Sequence, residues 1–261
     1  LCQAVNLLLN ASSVLIVAGA GMGVDSGLPD YRSENGFWND YPLYKKLGMS
    51  LSNMSCSNWF LSDPSSAWGF YGHRQKLYHD ATPHQGFKLL LDMITQSPSV
   101  QGNYWVLTSN IDSQFQKASY DQQRITECHG SLSFLQCADA SNCLSEKIWP
   151  IPSTISVDEN TMQCASAHQP RCSACGSVAR PNVSMFGDTN NTFVSRRADK
   201  QKANLKRWLR RQKARNEKEN TFTAVVEIGC GVSIHSIRVE SEVLARRRND
   251  FKLIRINPND Y

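Results

Sequence analysis

Short apolar runs, each separated from the next by a long polar or amphipathic stretch, set the pattern of this chain. Five runs are typical of β-strands: Val14–Ala18, Tyr104–Thr108, Arg124–Glu127, Ala224–Ile228 and Lys252–Ile256. Most of the stretches between them have the pattern of helices. This alternation predicts an α/β fold, built on a Rossmann-like parallel sheet with helices on both faces.

Polar or glycine-rich motifs follow four of the predicted strands. They are the glycine loop that begins at Gly19, the pair Ser109-Asn110, His129, and the pair Gly229-Cys230. Ligands of open α/β sheets bind at the carboxyl ends of the strands. We therefore expect these motifs to converge on one crevice.

The glycine loop Gly19-Ala20-Gly21-Met22-Gly23 directly follows the first predicted strand. Its three glycines keep side chains away from the backbone. A loop of this kind lets a pyrophosphate approach main-chain N–H groups.

The loop continues into Gly27-Leu28-Pro29-Asp30-Tyr31-Arg32, and this longer string resembles the sirtuins, the family of NAD-dependent protein deacylases. In that family the stretch reads Gly-Ala-Gly-x-Ser-x-x-x-Gly-Ile-Pro-Asp-Phe-Arg. Further similar blocks follow in the family's order over residues 14–257: Thr108-Ser109-Asn110-Ile111-Asp112, Glu127-Cys128-His129-Gly130-Ser131, two cysteine pairs, Pro181-Asn182-Val183-Ser184-Met185-Phe186-Gly187-Asp188, Val226-Glu227-Ile228-Gly229-Cys230-Gly231 and Arg255-Ile256-Asn257.

The resemblance implies an enzyme that moves the acyl group of a protein lysine to NAD. In the family, the acyl oxygen attacks the nicotinamide ribose and expels nicotinamide. A histidine then helps a ribose hydroxyl to attack, which releases free lysine and O-acyl-ADP-ribose. His129 matches that histidine and Asn110 the asparagine that positions a water and the ribose, so both are the expected catalytic residues.

The resemblance also assigns NAD contacts. Asp30 matches the aspartate that recognises the nicotinamide carboxamide, Arg32 the arginine near the ribose and phosphates, and Asp112 a residue of the nicotinamide pocket. The expected cofactor-binding set is Gly19, Ala20, Gly21, Asp30, Tyr31, Arg32, Ser109, Asn110, Asp112, Gly229, Cys230, Gly231 and Asn257. Phe186 and Gly187 are expected to bind the acylated-lysine protein or peptide.

Nine cysteines, clustered in the middle of the chain, favour metal binding in a reducing compartment over a disulfide framework. Cys172 and Cys175 have the spacing of a zinc knuckle, while Cys137 and Cys143 are separated by five residues, more than is usual. We expect these four to hold a structural Zn²⁺. Cys164, Cys128 or His168 could replace one of them.

We expect three parts in the chain. Residues 1–30, 85–136 and 180–261 would form the Rossmann-like NAD-binding domain, residues 31–84 a helical cofactor-loop module, and residues 137–179 a small zinc-binding domain. His84, after Thr82-Pro83, is expected to begin a helix in a structural role.

Three substitutions separate the chain from the family pattern. Gly23 stands where the family has serine, Ser109 where it has glutamine, and Cys230-Gly231 where it has Thr-Ser. Each removes a group that can contact NAD, at a cost on the order of 1 kcal/mol of binding. They indicate a divergent branch of the family.

Residues 196–218 are strongly basic, and Ala198, Leu205, Trp208 and Leu209 fall on one face at helical spacing. We interpret the segment as a solvated amphipathic helix packed on the sheet, with a surface for nucleic acid or an acidic partner as the alternative. A net charge of +5 does not require a nucleic-acid partner.

The remaining composition suits a globular protein, with 41% hydrophobic residues and no apolar run long enough to cross a membrane. The chain begins with Leu1, so we expect its native start to be missing. An intracellular location, cytoplasmic or nuclear, is expected. Three functions compete with deacylation: ADP-ribosyl transfer, NAD hydrolysis, and a non-catalytic zinc-stabilised NAD-binding module.

Overall fold

The computed structural model describes residues 2–30, 41–46, 48–140, 142–143, 145–151, 155–189, 192–232, 236–247 and 249–258. Tyr31 and Arg32, two of the expected NAD contacts, lie outside the described residues.

A five-stranded parallel sheet forms the centre of the larger region. Its strands are β1 (Ser13–Ala18), β2 (Tyr104–Thr108), β3 (Ile125–Glu127), β7 (Thr223–Ile228) and β8 (Phe251–Ile256). The order across the sheet is β3-β2-β1-β7-β8, and every neighbouring pair is parallel. All five predicted strands are confirmed. The chain moves outward from β1 first to one side and then to the other, which places the topological switch point between β1 and β7.

Helices cover both faces of this sheet, as the sequence predicts. On one face, α1 (Cys2–Asn10) and α6 (Gln85–Gln96) pack on a core that includes Phe87 and Ile94. On the other, α8 (Arg196–Glu219) and α9 (Ser236–Arg247) contribute Leu205, Trp208 and Ile237 to a second core. The sheet is therefore buried on both sides, and only its edges can form a site.

A smaller region combines a second sheet with a group of helices. Strands β4 (Gly130–Cys137), β5 (Trp149–Pro150) and β6 (Ala179–Val183) form an antiparallel sheet in the order β5-β4-β6. The helices are α2 (Pro42–Lys46), α3 (Leu51–Met54), α4 (Trp59–Ser62) and α5 (Pro64–Asp80); the short α7 (Gln114–Lys117) follows β2 in the larger region.

Helix α5 begins with a proline and an aspartate cap. Pro64 occupies its first turn, and the Asp63 carboxylate accepts a hydrogen bond from the Ser66 N–H at 3.2 Å. Two glycines let the helix approach the segment 155–164 closely: a Cβ on Gly69 would lie 1.8 Å from the Met162 carbonyl, and one on Gly72 would lie 2.7 Å from Val157.

A single hydrophobic core joins the helices of the smaller region to the cysteine-bearing segment, residues 137–179. Residues from both parts contribute to it, among them Phe60, Trp68 and Tyr71 from the helices and Ile155 and Cys164 from the segment. The two predicted modules therefore share a core, and the exact domain boundaries stay a prediction. Within the described part of the chain, no helix is both long and apolar enough to cross a bilayer.

Candidate functional site

A pocket of about 350 Å³ opens at the carboxyl edge of the parallel sheet, between the two regions. Seven of the expected site residues line it: Ala20, Asp30, Ser109, Asn110, Asp112, His129 and Phe186. They come from loops after β1, β2, β3 and β6, so the expected convergence is confirmed for these loops.

The glycines of the β1 loop bring two backbones into contact. A Cβ on Gly19 would lie 2.5 Å from the Gly229 carbonyl, and one on Gly21 would lie 2.7 Å from the Gly229 Cα. The Gly21 N–H donates to the Gly229 carbonyl at 3.1 Å, and Gly229 itself has a φ of 62°, a left-handed conformation. The β1 and β7 loops therefore meet at the switch point through main-chain atoms alone.

Asn110 fixes the part of the β1 loop that lies next to the pocket. Its side-chain N–H donates to the Gly19 carbonyl at 2.9 Å, and its backbone N–H donates to the Thr108 hydroxyl at 3.0 Å. The same hydroxyl donates to the Ala18 carbonyl at 2.9 Å. Asn110 thus ties the end of β2 to the glycine loop and holds its own amide at the pocket wall.

Asp112 lines the pocket, and the pKa of its carboxyl group is strongly raised. Burial raises the pKa of its carboxyl to about 6, Glu127 adds to the rise, and the Gln114 N–H and Arg74 oppose it. Its Oδ1 accepts from the Gln114 N–H at 3.0 Å. A carboxyl titrating near neutrality can both accept and donate a proton at physiological pH.

His129 lies where β3 passes into β4. Gly130 follows it with a φ of 84°, and a Cβ there would lie 2.1 Å from the Asn182 carbonyl, so only glycine fits. The His129 carbonyl accepts from the Ser184 N–H at 2.9 Å, which ties the histidine to the β6 loop. The backbone thus sets the imidazole at the pocket, half-buried.

Among the described residues, the expected NAD contacts Gly19, Gly21, Gly229, Cys230, Gly231 and Asn257 lie outside the lining of the pocket. Cys230 is buried, with its Sγ 3.6 Å from the Val17 carbonyl, so its thiol faces the core of the sheet. Its carbonyl accepts from the Asn257 side chain at 3.2 Å. Cys230 and Asn257 therefore stand next to the switch point on the β7 side.

His84 confirms its expected structural role. Its Nδ1 accepts from the Gly86 N–H at 3.0 Å at the start of α6, so the neutral ring carries its proton on Nε2. Nε2 donates to the Met22 carbonyl at 3.0 Å. One imidazole therefore caps α6 and holds the glycine loop.

Helix α5 supplies a pocket wall that the sequence analysis missed. Tyr71, Arg74 and Tyr78 line the pocket from one face of this helix. Arg74 is only 7% exposed, donates to the Tyr78 hydroxyl at 2.7 Å, and has its guanidinium 5.4–5.6 Å from the ring centres of Phe70, Tyr71 and Tyr78. The signal in the sequence is a single arginine, three residues after a tyrosine, inside an aromatic run.

A buried ion pair shapes the loop that carries Phe186 and Gly187. Arg180 donates to the Asp188 carboxylate at 2.8 Å, with both side chains at most 4% exposed, and the other Asp188 oxygen accepts from the Met185 N–H at 2.8 Å. Phe186 lines the pocket while its side chain stays 56% exposed, and Gly187 takes a φ of 79°.

The backbone of Phe186 is already paired. Its N–H donates to the Ser55 carbonyl at 2.8 Å, and its carbonyl accepts from the Ser57 N–H at 3.2 Å. A peptide laid beside this loop must therefore use the backbone of other residues, of which Gly187 is exposed.

The four expected cysteines come together at the far end of the antiparallel sheet. The sulfurs of Cys137, Cys143, Cys172 and Cys175 all lie within 4.8 Å of one another. Cys137 and Cys175 are 3.6 Å apart, and Cys143 and Cys172 are 4.0 Å apart. A disulfide requires about 2.05 Å, whereas zinc–sulfur bonds of about 2.3 Å in a tetrahedron place the sulfurs about 3.8 Å apart.

The local chemistry of the cluster also fits a metal. Hydrogen bonds from the Ser177 side chain and backbone lower the pKa of the Cys175 thiol to about 6, whereas burial raises the pKa of the Cys137 thiol. Cys175 is therefore the member of the cluster that most readily becomes the thiolate that a metal requires. Cys164, a possible substitute ligand, is instead enclosed in the shared core. Cys128 and His168 are likewise outside this cluster in the described part of the chain. The wide spacing of the first pair does not keep it from the cluster.

Comparison with known proteins gives the same picture as the geometry. A protein from Aquifex aeolicus (strain VF5) named NAD-dependent protein deacylase is 25% identical over 164 residues, which cover 63% of this chain and 57% of that protein. A Daphnia pulex protein of the same name is 30% identical over 131 residues, 50% of this chain and 44% of the relative. The chain thus spans about half the length of the curated relatives it matches.

Solved structures agree in fold over almost the whole chain. A Sir2 homologue, solved as a mutant in complex with ADP ribose, gives a TM-score of 0.65 at 20% identity and covers 98% of this chain and 84% of its own. The Sir2 family profile matches residues 19–206, well over half of the sequence. The chain therefore belongs to the Sir2 family.

Proposed function

We propose that the protein is an NAD-dependent protein-lysine deacylase with a structural Zn²⁺ in its cysteine cluster. One observation carries this proposal: Asn110, Asp112 and His129 line the same pocket as the glycine loop and Phe186. Family membership and the names of the curated relatives support it.

His129 would act as the general base of the reaction. Bound NAD would supply the ADP-ribose that accepts the acyl group and the nicotinamide that leaves. The His129 imidazole would accept a proton from a ribose hydroxyl, a role suited to a half-buried histidine at the pocket wall. Asn110 would hold the ribose and a water, because its amide is fixed by the bond to Gly19.

The two carboxyl groups of the pocket would bind the nicotinamide end. Asp30 and Asp112 both line the pocket, and a protonated Asp112 could donate to an amide oxygen. Gly19, Gly21 and Gly229 would bring main-chain groups to the phosphates at the switch point. This part of the proposal rests on the resemblance together with the positions of the residues.

The four cysteines would hold zinc in a closed shell. With four protein ligands the metal has no open position, so it would stabilise the smaller region and take no part in the chemistry. Reduced cysteines of this kind suit an intracellular protein, in the cytoplasm or the nucleus.

One observation favours a second activity on the same scaffold. The paired backbone of Phe186 limits the edge available to a peptide substrate. If that edge admits no peptide, NAD cleavage would continue with water or another acceptor, which corresponds to NAD hydrolysis or ADP-ribosyl transfer.

The deciding experiment is mass spectrometry of a reaction containing the protein, NAD and a panel of acyl-lysine peptides. Deacylation predicts equal amounts of O-acyl-ADP-ribose and free-lysine peptide. His129→Ala should lower the rate at least about 100-fold. His79→Ala is the matched control, because His79 is largely exposed and does not line the pocket. Nicotinamide release without deacylated peptide would refute the deacylase and support the second activity.

A further inference from the structure

The outer face of α8 carries an unusual density of positive charge. The helix has 24 residues, eleven of them Lys or Arg and three of them acidic. Its buried side is formed by Ala198, Leu205, Trp208, Gln212 and Asn216. At 3.6 residues per turn, the side opposite is rich in Lys and Arg, which are interspersed with Asp199, Ala203, Ala214 and Glu217.

Most of these cations are not neutralised within the described part of the chain. Four form ion pairs, namely Arg196, Arg197, Lys213 and Arg215. The other seven are exposed and form no ion pair with any carboxylate of the described residues, and we call them the basic face: Lys200, Lys202, Lys206, Arg207, Arg210, Arg211 and Lys218.

The basic face has a length comparable to a stretch of duplex backbone. From Lys200 to Lys218 the helix rises about 27 Å, which is about four-fifths of one turn of duplex DNA at about 34 Å. Lys202, Lys206 and Arg210 follow one another at four-residue spacing, and Arg207 and Arg211 lie beside them. Such a cluster of cations on one side of a helix can contact several phosphates of one backbone.

The same face lacks what a protein partner would use. Every large apolar side chain of α8 is turned to the core, and none of the exposed large hydrophobic residues of the described chain lies on this helix. Protein interfaces are usually centred on buried aromatic or aliphatic anchors. Phosphate contacts need only charge and hydrogen-bond donors.

We propose that the basic face is a binding site for the phosphate backbone of a duplex nucleic acid, read without sequence preference. This inference goes beyond the deacylase activity and does not depend on it, because none of the seven side chains lines the pocket. Helix α8 would then pack on the sheet with its apolar face and bind a duplex nucleic acid with its outer face.

Contacts at the two ends of α8 show how the basic face is oriented relative to the sheet. Near its start, Arg197 pairs with Glu127 at the end of β3, two residues before His129. Near its end, the hydroxyl of Ser12, just before β1, donates to the Asn216 side-chain oxygen at 2.9 Å. The basic face therefore runs along the sheet from the catalytic edge to the opposite edge, and a bound duplex would extend beside the pocket.

The test is fluorescence anisotropy with labelled 20-base-pair duplexes over a range of salt concentrations. The test variant combines Arg207→Gln, Arg210→Gln and Arg211→Gln, all exposed at the centre of the face. The control variant combines Lys45→Gln, Lys88→Gln and Lys252→Gln, three exposed cations elsewhere. Both variants lose three charges, and thermal melting checks that both remain folded.

We expect the test variant to bind at least about 10-fold more weakly in 0.1 M salt, with a salt slope lower by about two to three. The control variant should bind like the parent, and deacylation of a peptide should be unchanged in both. Separate duplexes of DNA and RNA identify which is preferred. Equal losses in the two variants would reduce the effect to net charge and overturn the proposal. So would tighter binding of polyglutamate than of either duplex, which indicates an acidic protein partner.

Discussion

The larger region, built on the parallel sheet, and the smaller region, which carries the four cysteines, are stabilised by different features. The sheet is buried on both faces by helices, and its strands β1, β2 and β7 have almost no exposed residue. The smaller region has a three-stranded antiparallel sheet, short helices and a four-cysteine cluster at one end. Hydrophobic burial supports both regions, and the second also has a cysteine cluster that can hold a metal.

The difference also concerns how each region contributes to the pocket. The sheet presents Asn110 and His129 from the ends of strands, where the backbone ladder fixes them. The smaller region presents Tyr71 and Arg74 from a helix whose position depends on the shared core. We therefore expect a substitution in one region to destabilise that region's side of the pocket more than the other side.

Replacing one cysteine should have the largest effect. Cys143→Ser removes one of four ligands from the cluster, and structural zinc contributes on the order of 10 kcal/mol in small metal-bound folds. We expect loss of bound zinc and a loss of stability on the order of 5 kcal/mol, confined at first to the smaller region. Zinc analysis and hydrogen exchange of the two regions measure it.

Cys2→Ser is the control for that experiment, because Cys2 is exposed and far from the cluster in sequence. If the amides of β1 and β2 lose protection as early as those of β4 and β6, the two regions unfold together and the comparison fails.

Substitutions of Gly229 and Gly231, near the switch point, test the larger region and should have effects of intermediate size. In Gly229→Ala the new Cβ would lie 2.4 Å from the Met22 nitrogen at a φ of 62°, so we expect a loss of about 2–4 kcal/mol. In Gly231→Ala, two residues later, the Cβ meets nothing within 4 Å, and we expect a change within about 0.5 kcal/mol. Denaturant unfolding compares them, and equal losses would show that close contact of the loops is unimportant.

The smallest effect is a pH dependence that arises at the boundary of the two regions. The pKa of Asp112 is raised to about 6 in the folded protein, so the folded state binds this proton more tightly than the unfolded state. Its contribution to stability is therefore greatest below the unfolded pKa of 3.8 and declines as the pH rises to about 6. Asp112→Asn removes this dependence.

We expect Asp112→Asn to gain stability relative to the parent by about 1 kcal/mol between pH 5 and pH 8. Denaturant unfolding of both proteins at several pH values measures the difference. A difference that stays constant over this range would mean that Asp112 titrates normally.

The sequence was most informative where structure depends on near neighbours. Each strand of the parallel sheet is a short apolar run that ends at a polar motif, so strand positions and the site edge followed together. The cap at His84 also followed, because Thr82-Pro83 precedes it. The cysteines came together as expected since thiols at this spacing have few other uses.

The rest depends on contacts between distant parts of the chain. Helix α5 carries aromatic residues around much of its circumference because it packs against several partners, so its pattern does not show which face meets the pocket. The pairing of Phe186 with Ser55 and Ser57 joins segments about 130 residues apart, and neither segment signals it. The close approach of Gly19 to Gly229 is equally hidden, although the glycines allow it.

Helix α5 contacts both the cysteine-bearing segment and the pocket. Ser65, Gly69 and Gly72 contact the cysteine-bearing segment, while Tyr71, Arg74 and Tyr78 face the pocket from the opposite side. If zinc orders that segment, it also orders the pocket wall. Linkage then runs both ways: a ligand that fills the pocket raises the affinity for zinc, and removal of zinc lowers the affinity for the ligand by the same factor.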